Sequence, residues 1–314
     1  MLTTGSEEWW RTLQGPQCRA VDGAIEVTFW WRDPAGDETR SPRRRVWLYI
    51  TGVTDHHQNA RPQSLQRLPG TDAWCWRTTL SPTWRGSYCF IPSDRDDDFS
   101  PEVFSADKPD RALLREGWRK LLPRAIADPL NPHSWRGGRG HGVSALEMPQ
   151  APAQPGWDQL NAAHPPARCL EWRSARLGNH RRVWIYTPGE AVDPQTRPLA
   201  ILLDGQFWAE SMPVWSPLAA LTREGRLPPA VYLLIDAIDN QRRGVELPCH
   251  RDFWLAVQEE LLPLVHGYAP FSDRPDRTVV AGQSFGGLAA MFAALNWPQR
   301  FGCVLSQSGS YWWP

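Results

Sequence analysis

The chain has 314 residues, room for two domains at the usual size of about 150 residues each. Its 34 basic and 34 acidic residues cancel, which excludes a net field favouring nucleic acid or an anionic membrane surface and leaves partners to be argued from local sites. No apolar run approaches the ~18 residues of a membrane span, and the opening "MLTTGSEEWW" lacks a basic region ahead of an apolar stretch, so a cytoplasmic location is expected.

Six cysteines, at 18, 75, 89, 169, 249 and 303, are scattered without a C-x-x-C pair and read as reduced packing residues. Nearly all basic residues are arginine, and there are 19 tryptophans. Genome composition is the simpler account of the arginine excess; the functional alternative is that arginine pairs with oxyanions and stacks on rings, which would suit an anionic aromatic ligand.

Residues 24–91 alternate apolar and polar positions in short runs, "AIEVTFWW", "RRVWLYIT", "AWCWRTTL" and "GSYCFI", separated by turn-rich pieces such as "RDPAGDE" and "SPTWRG". This is the pattern of short antiparallel strands, and an immunoglobulin-like β-sandwich is the economical arrangement. A helical extension, "DRALLREGWRKLLPRAIADPLNP", ends in prolines. The first domain is therefore expected over 1–150, followed by a Pro- and Ala-rich linker over 151–168 without apolar periodicity.

Over 169–314 the rhythm changes. "RVWIYTP", "PLAILLDG", "AVYLLIDAID" and "RTVVAGQS" are continuous apolar runs, as for strands buried on both faces. "RDFWLAVQEELLPLVHGY" repeats its apolar residues at helical spacing. Strands alternating with helices predict an α/β domain with a mainly parallel sheet covered on both sides.

Gly282-Gln283-Ser284-Phe285-Gly286 fits G-x-S-x-G between a predicted buried strand and a predicted helix, the context in which this motif carries a nucleophilic serine. A sharp strand-to-helix reversal pushes the serine toward positive φ, and the flanking glycines give the neighbouring backbones room. The Phe285 amide at the helix start, with the Gly205 or Gln206 amide in the loop after "ILLD", would form an oxyanion hole. A serine N-capping a helix is the simpler alternative for Ser284. Asp204 reads either as a strand-ending turn residue or as part of the site.

A serine nucleophile needs a histidine and a carboxylate, which on this fold follow it in the chain. The remainder, "FGGLAAMFAALNWPQRFGCVLSQSGSYWWP", contains no Asp, Glu or His. Either the chain is a C-terminal truncation of a longer enzyme with little activity by itself, or an upstream histidine is recruited. His56-His57 reads as a polar loop rather than a metal site. His250 reads as a cap or, less simply, a base, and His141 lies in the glycine-rich "WRGGRGHG".

The stretches "EVTFWWRDP", "VWLYITGVTDHHQN", "LREGWRKLLP", "AIADPLNP", "GGRGH", "LLDGQFWA", "PPAVYLLIDAID", "TVVAGQSFGGL" and "RFGCVLSQSGSYWWP" resemble, in order and over essentially the whole chain, the enterochelin (enterobactin) esterase family. The resemblance implies a β-sandwich preceding an α/β-hydrolase domain. It also implies hydrolysis of the trilactone esters of ferric enterobactin or a related catecholate siderophore, allowing cytoplasmic iron release. It assigns Ser284 as nucleophile, and the family continues past "SYWWP" into a catalytic carboxylate and a "GGHD"-like histidine segment. Gln206 departs from an acidic residue in related enzymes. Iron belongs to the substrate, so no cofactor, protein metal site, nucleic acid or membrane partner is expected. Arg136, Arg139, His141 and Trp208 are candidates to bind the anionic rings. A catalytically dead catecholate-binding protein, and a carboxylesterase or acyltransferase with another substrate on the same fold, remain alternatives.

Overall fold

The computed structural model describes residues 2–105, 108–136, 141–157 and 167–314, without the side chains of 135 and 136. It divides into two compact units, Met1–Ala153 and Gln154–Pro314.

The first unit opens with a short helix, α1 (Glu7–Trp10), whose N-cap Ser6 accepts from the Trp9 amide at 3.2 Å. Strands β1 (Gln17–Val21), β2 (Ala24–Arg32), β3 (Arg45–Ile50), β4 (Gln63–Ser64), β5 (Gln66–Arg67), β6 (Ala73–Leu80) and β7 (Arg85–Ser93) follow. Helices α2 (Glu102–Ser105) and α3 (Arg111–Leu121) precede β8 (Ser134–Arg136) and β9 (Gly142–Glu147). The strands form two antiparallel sheets, ordered β1-β2-β6-β5 and β4-β3-β7-β9-β8. Val27, Phe29 and Trp31 of one sheet meet Leu48, Ile50 and Phe90 of the other in a shared core.

The alternation expected of half-buried strands is lost in places because the outer faces are covered too. Trp30 packs with Trp9, Trp10 and Leu13, so β2 is buried continuously from Val27 to Trp31. On the second sheet, Trp47, Tyr49, Cys89 and Ile91 pack against Val103, Leu114 and Trp118. The helical extension is thus a covering layer, its first turn capped by Asp110. In "ADPLNP", Asp128 accepts from the Tyr88 hydroxyl at 2.6 Å, and Asn131 donates to the same hydroxyl at 3.0 Å. Burial raises both the Asp128 carboxyl and the Tyr88 phenol above their usual ranges. This buried polar knot ties the segment after α3 to β7.

The second unit contains β10 (Arg168–Ser174), β11 (Asn179–Tyr186), β12 (Leu199–Leu203), α4 (Trp215–Arg223), β13 (Val231–Ile235), α5 (Asn240–Glu246) and α6 (Arg251–Ala256). A π turn (Val257–Leu261) joins α6 to α7 (Leu262–Tyr268), and β14 (Thr278–Gln283), α8 (Phe285–Asn296) and β15 (Cys303–Gln307) complete it. The sheet order is β10-β11-β13-β12-β14-β15. The last four are mutually parallel, and β10 and β11 are antiparallel additions. Leu199, Ile201, Leu233 and Val280 pack on one face against Phe253, Trp254, Ala289 and Ala293. Tyr186, Tyr232 and Leu234 pack on the other against Val214 and Trp215. Burial on both faces explains the uninterrupted apolar runs. Trp157 packs into this second cluster, so the proline-rich stretch joins the second unit from Gln154; residues 158–166 lie outside the described residues.

The chain passes from β12 outward to β13 and then back across to β14. The carboxyl ends of the strands on either side of such a reversal, here β12 and β14, are where open α/β sheets bind ligands. Among the described residues no helix is long and apolar enough to cross a membrane.

Candidate active site

β14 ends at Gln283 and α8 starts at Phe285, leaving Ser284 at the corner with φ 54° and ψ −116°. A non-glycine residue held in such a region stores on the order of 1–3 kcal/mol, which the surrounding structure must hold. Here it does so through hydrogen bonds. The Ser284 amide donates to the Gln307 carbonyl at 3.0 Å, and its carbonyl accepts from the Leu288 and Ser310 amides at 3.1 and 3.0 Å. The exposed Ser284 side chain makes no capping bond to α8, so the N-cap alternative finds no hydrogen bond to rest on. Its Oγ lies 3.0 Å from the hydroxyl of buried Ser310.

The glycines are required by contact. A Cβ on Gly282 would come within 2.4 Å of the Gly286 carbonyl group, and one on Gly287 within 3.0 Å of Gly309 Cα. The loop after β12 is equally constrained. Asp204 has φ 56°, and a Cβ on Gly205 would meet the Ile235 amide nitrogen at 2.6 Å. The Gln206 side chain accepts from the Ala237 amide at 3.0 Å, tying the loops after β12 and β13. Its backbone is left to act separately from that tie.

One side chain that sequence reasoning missed joins the two loops. Arg243, on α5 behind the cap Asp239, forms a bidentate pair with Asp204 at 2.6 and 2.8 Å and donates to the Gln283 carbonyl at 3.2 Å. Asp204 is therefore both a strand-ending turn residue and an ion-pair partner facing the Ser284 loop. Arg243 sits in "NQRRGVELPC" with no spacing that singles it out; only the position of α5 after β13 brings it across. Arg243→Leu is expected to destabilise the second unit by about 2 kcal/mol, less than for a fully buried pair because the side chains are 23% and 15% exposed. Thermal melting should show a drop of roughly 4–8 °C, with Arg243→Lys falling between.

The sequence-predicted residues separate into groups. Ser284, Phe285, Gly205 and Gln206 share the carboxyl edge of the sheet, on loops after the adjacent strands β12 and β14. Trp208 lies in a π turn, Phe207–Ser211, where its half-buried ring packs against the β13–α4 cluster and stands edge-on to Phe207 at 4.8 Å. His141 is half-buried just before β9 in the first unit. Arg139 and the Arg136 side chain lie outside the described residues.

Among the histidines, His250 caps α6 by accepting from the Phe253 amide at 3.0 Å. His266 bonds Gln195 at 3.1 Å, and His180 lies on β11 opposite Arg173. His56 bonds the Tyr49 hydroxyl at 2.8 Å with its ring 3.9 Å from that of His57. Among the described residues no cluster of three or more His, Cys, Asp or Glu stands ready to hold a metal ion.

Residues 26–157 match the family model described as "Enterochelin esterase, N-terminal", and residues 174–314 match the one described as "Putative esterase". The chain is 66% identical to the iron(III) enterobactin esterase of Escherichia coli O6:H1 (strain CFT073), covering all of this chain and 77% of that protein. It is 53% identical to the iron(III) enterobactin esterase of Dickeya dadantii (strain 3937), covering 99% of this chain and 72% of that protein. A crystal structure of ferric enterobactin esterase from Salmonella typhimurium is similar with a TM-score of 0.92 and 67% identity, over 98% of this chain and 78% of that one. That of the Shigella flexneri enterobactin esterase in the presence of enterobactin has a TM-score of 0.87 and 66% identity, over 100% and 79%. With an esterase-type α/β unit behind a β-rich unit and this degree of identity along its whole length, the chain belongs to the iron(III) enterobactin esterase family.

Proposed function

We propose that this carboxylic ester hydrolase cleaves the serine ester bonds of the enterobactin trilactone, with Ser284 as nucleophile. The observation that carries the reading is the strained Ser284 corner at the carboxyl edge, joined to the loop after β12 through Arg243 and Asp204. Oγ attacks the ester carbonyl, and its proton passes to a base as the tetrahedral oxyanion forms. The amides of Phe285 and of Gly205 or Gln206 stabilise that oxyanion, each donor worth roughly 2.7–4 kcal/mol in comparable sites. Collapse expels the serine alkoxide, which takes up the proton, and leaves an acyl-enzyme; water then releases the acid.

We place the base and its carboxylate in the C-terminal part of the family's length that this chain does not span. The Ser284–Ser310 contact would then be replaced by a Ser–His bond. Iron enters and leaves as part of the substrate, so the chemistry requires no cofactor, and we place it in the cytoplasm.

The test is a chimera of this chain extended with the C-terminal segment of the Escherichia coli relative. It is assayed chromatographically on ferric and iron-free enterobactin beside simple alkyl and aryl esters. Catecholate lactone cleavage at least about 100-fold more efficient than simple ester cleavage is expected, with the unextended chain slower by about 10³ or more. Equal efficiency on simple esters would point instead to a general carboxylesterase, and tight binding without cleavage to a binding protein.

A further inference from the structure

Helix α5 carries Arg243 to the two loops of the site, yet its seven residues, Asn240 to Glu246, include one apolar side chain, Val245. So short a helix does not hold itself together in water, and helices ordinarily dock by an apolar stripe. The residue that α5 buries is instead Glu246. Arg243 and Glu246 stand three apart and share a face, so ionic side chains seat the helix.

Glu246 accepts from Arg181 of β11 at 2.5 Å, and the two side chains are 4% and 2% exposed. Its other oxygen accepts from the Asn179 side chain at 2.6 Å. Arg181 also donates to the Asn179 side-chain oxygen at 2.9 Å and to the Asp236 carbonyl at 3.3 Å. Its guanidinium lies 5.5 and 5.6 Å from the ring centroids of Trp172 and Phe253. Asp236 precedes Ala237, whose amide donates to Gln206. One turn back on α5, Arg243 holds Asp204 and the Gln283 carbonyl. The Asp204 carboxylate lies against the start of α8, where a Cβ on Gly286 would meet its Oδ2 at 3.5 Å. Both ion pairs line one cavity of only about 10 Å³, which leaves α5 little room to shift between them.

We propose that the buried Arg181–Glu246 pair is a positioning device for ester cleavage. It fixes α5 in register, so that Arg243 holds the loop after β12 and the Ser284 corner at one spacing, and with them the amides of Phe285 and of Gly205 or Gln206. The inference rests on the reading of Ser284 as the nucleophile. Apolar burial is non-directional and would let a two-turn helix slide, whereas charged hydrogen bonds impose a geometry. Stability alone does not explain the pair, because well-packed apolar residues in place of a buried ion pair often leave a protein as stable or more so. A displacement of about 1 Å away from the chemistry can lower turnover about 10²-fold. Donors aimed at the oxyanion act on the transition state rather than on bound substrate.

Two variants of the C-terminally extended chimera, assayed below both melting transitions on iron-free enterobactin, separate position from stability. Arg181→Met/Glu246→Met replaces the pair with apolar chains of similar length and should melt within a few degrees of the parent. Its kcat should fall about tenfold or more, with KM within about twofold. Glu246→Gln keeps a carbonyl oxygen for Arg181 but leaves that charge buried without a counterion. It should melt well below the parent, yet hold kcat to within about threefold. In this chain without the extension, amide hydrogen exchange over Asp204–Gln206 and Gln283–Phe285 should quicken in the double Met variant; this readout needs no turnover, so a failure of the Ser284 reading leaves it standing. Unchanged kcat in the double Met variant would overturn the proposal. So would unchanged exchange in both segments, or a kcat that follows melting temperature across the two variants, which would make the pair merely structural.

Discussion

Ser284→Ala in the C-terminally extended chimera is expected to lower turnover of enterobactin by up to about 10⁶, the loss seen when the serine of an unrelated triad protease is removed. What should persist is roughly 10³–10⁴ over the reaction in water, contributed by oxyanion donors and substrate binding. The substitution removes one oxygen and its single side-chain hydrogen bond, to the base in the extended protein in place of Ser310 at 3.0 Å in this chain, which contributes about 1 kcal/mol. The elbow itself is held by backbone bonds to Gln307, Leu288 and Ser310. The variant should therefore melt within a few degrees of the parent and still bind ligand. Chromatographic assay of dihydroxybenzoyl-serine release measures the loss, and undiminished release would remove Ser284 from the mechanism.

Gly282→Ala should produce the largest structural effect of any single methyl added near the site. The new Cβ would lie 2.4 Å from both the carbonyl carbon and the oxygen of Gly286. These are backbone atoms at the start of α8, so no side-chain rotation relieves the overlap. The cost is expected at about 3 kcal/mol, the upper part of the usual range for overpacking, or a fall of roughly 6–12 °C in melting temperature. Relief by displacing α8 would carry Ser284 and the Phe285 amide with it, so turnover should fall even where the chain stays folded. Gly267→Ala in α7 is the control. Nothing lies within 4 Å of its added methyl, and alanine in a helix is favoured over glycine by up to about 1 kcal/mol. Equal melting of the two variants would show that the close approach of β14 and α8 is not what Gly282 provides.

The elements of the second unit were legible to the extent that each was self-sufficient. The continuous runs behind β11, β12, β13 and β14 announce burial on two faces, and Gly-x-Ser-x-Gly between a strand and a helix announces a corner. The first unit was less so, because helices cover its outer faces and turn expected alternation into unbroken burial at Val27–Trp31. Trp208 follows β12 closely in the chain, and only the structure shows its half-buried ring packing beside α4. Neither π turn interrupts the apolar spacing enough to be seen in the residues alone.

Local chemistry is what the amino-acid order determined by itself: where chain reversal demands glycine, which runs must be buried, and which hydroxyl is raised at a corner. These depend on neighbours a few residues apart, and so they can be read along the chain. The tertiary structure decided the partners. Arg243 reaches Asp204 and Gln283 across about 40 residues of sequence, and Ser310 and the Trp312–Trp313 pair reach Ser284 and Phe285 from beyond the next strand. No local periodicity encodes such pairings; they arise because parallel strands deliver loops from distant segments to one edge of the sheet.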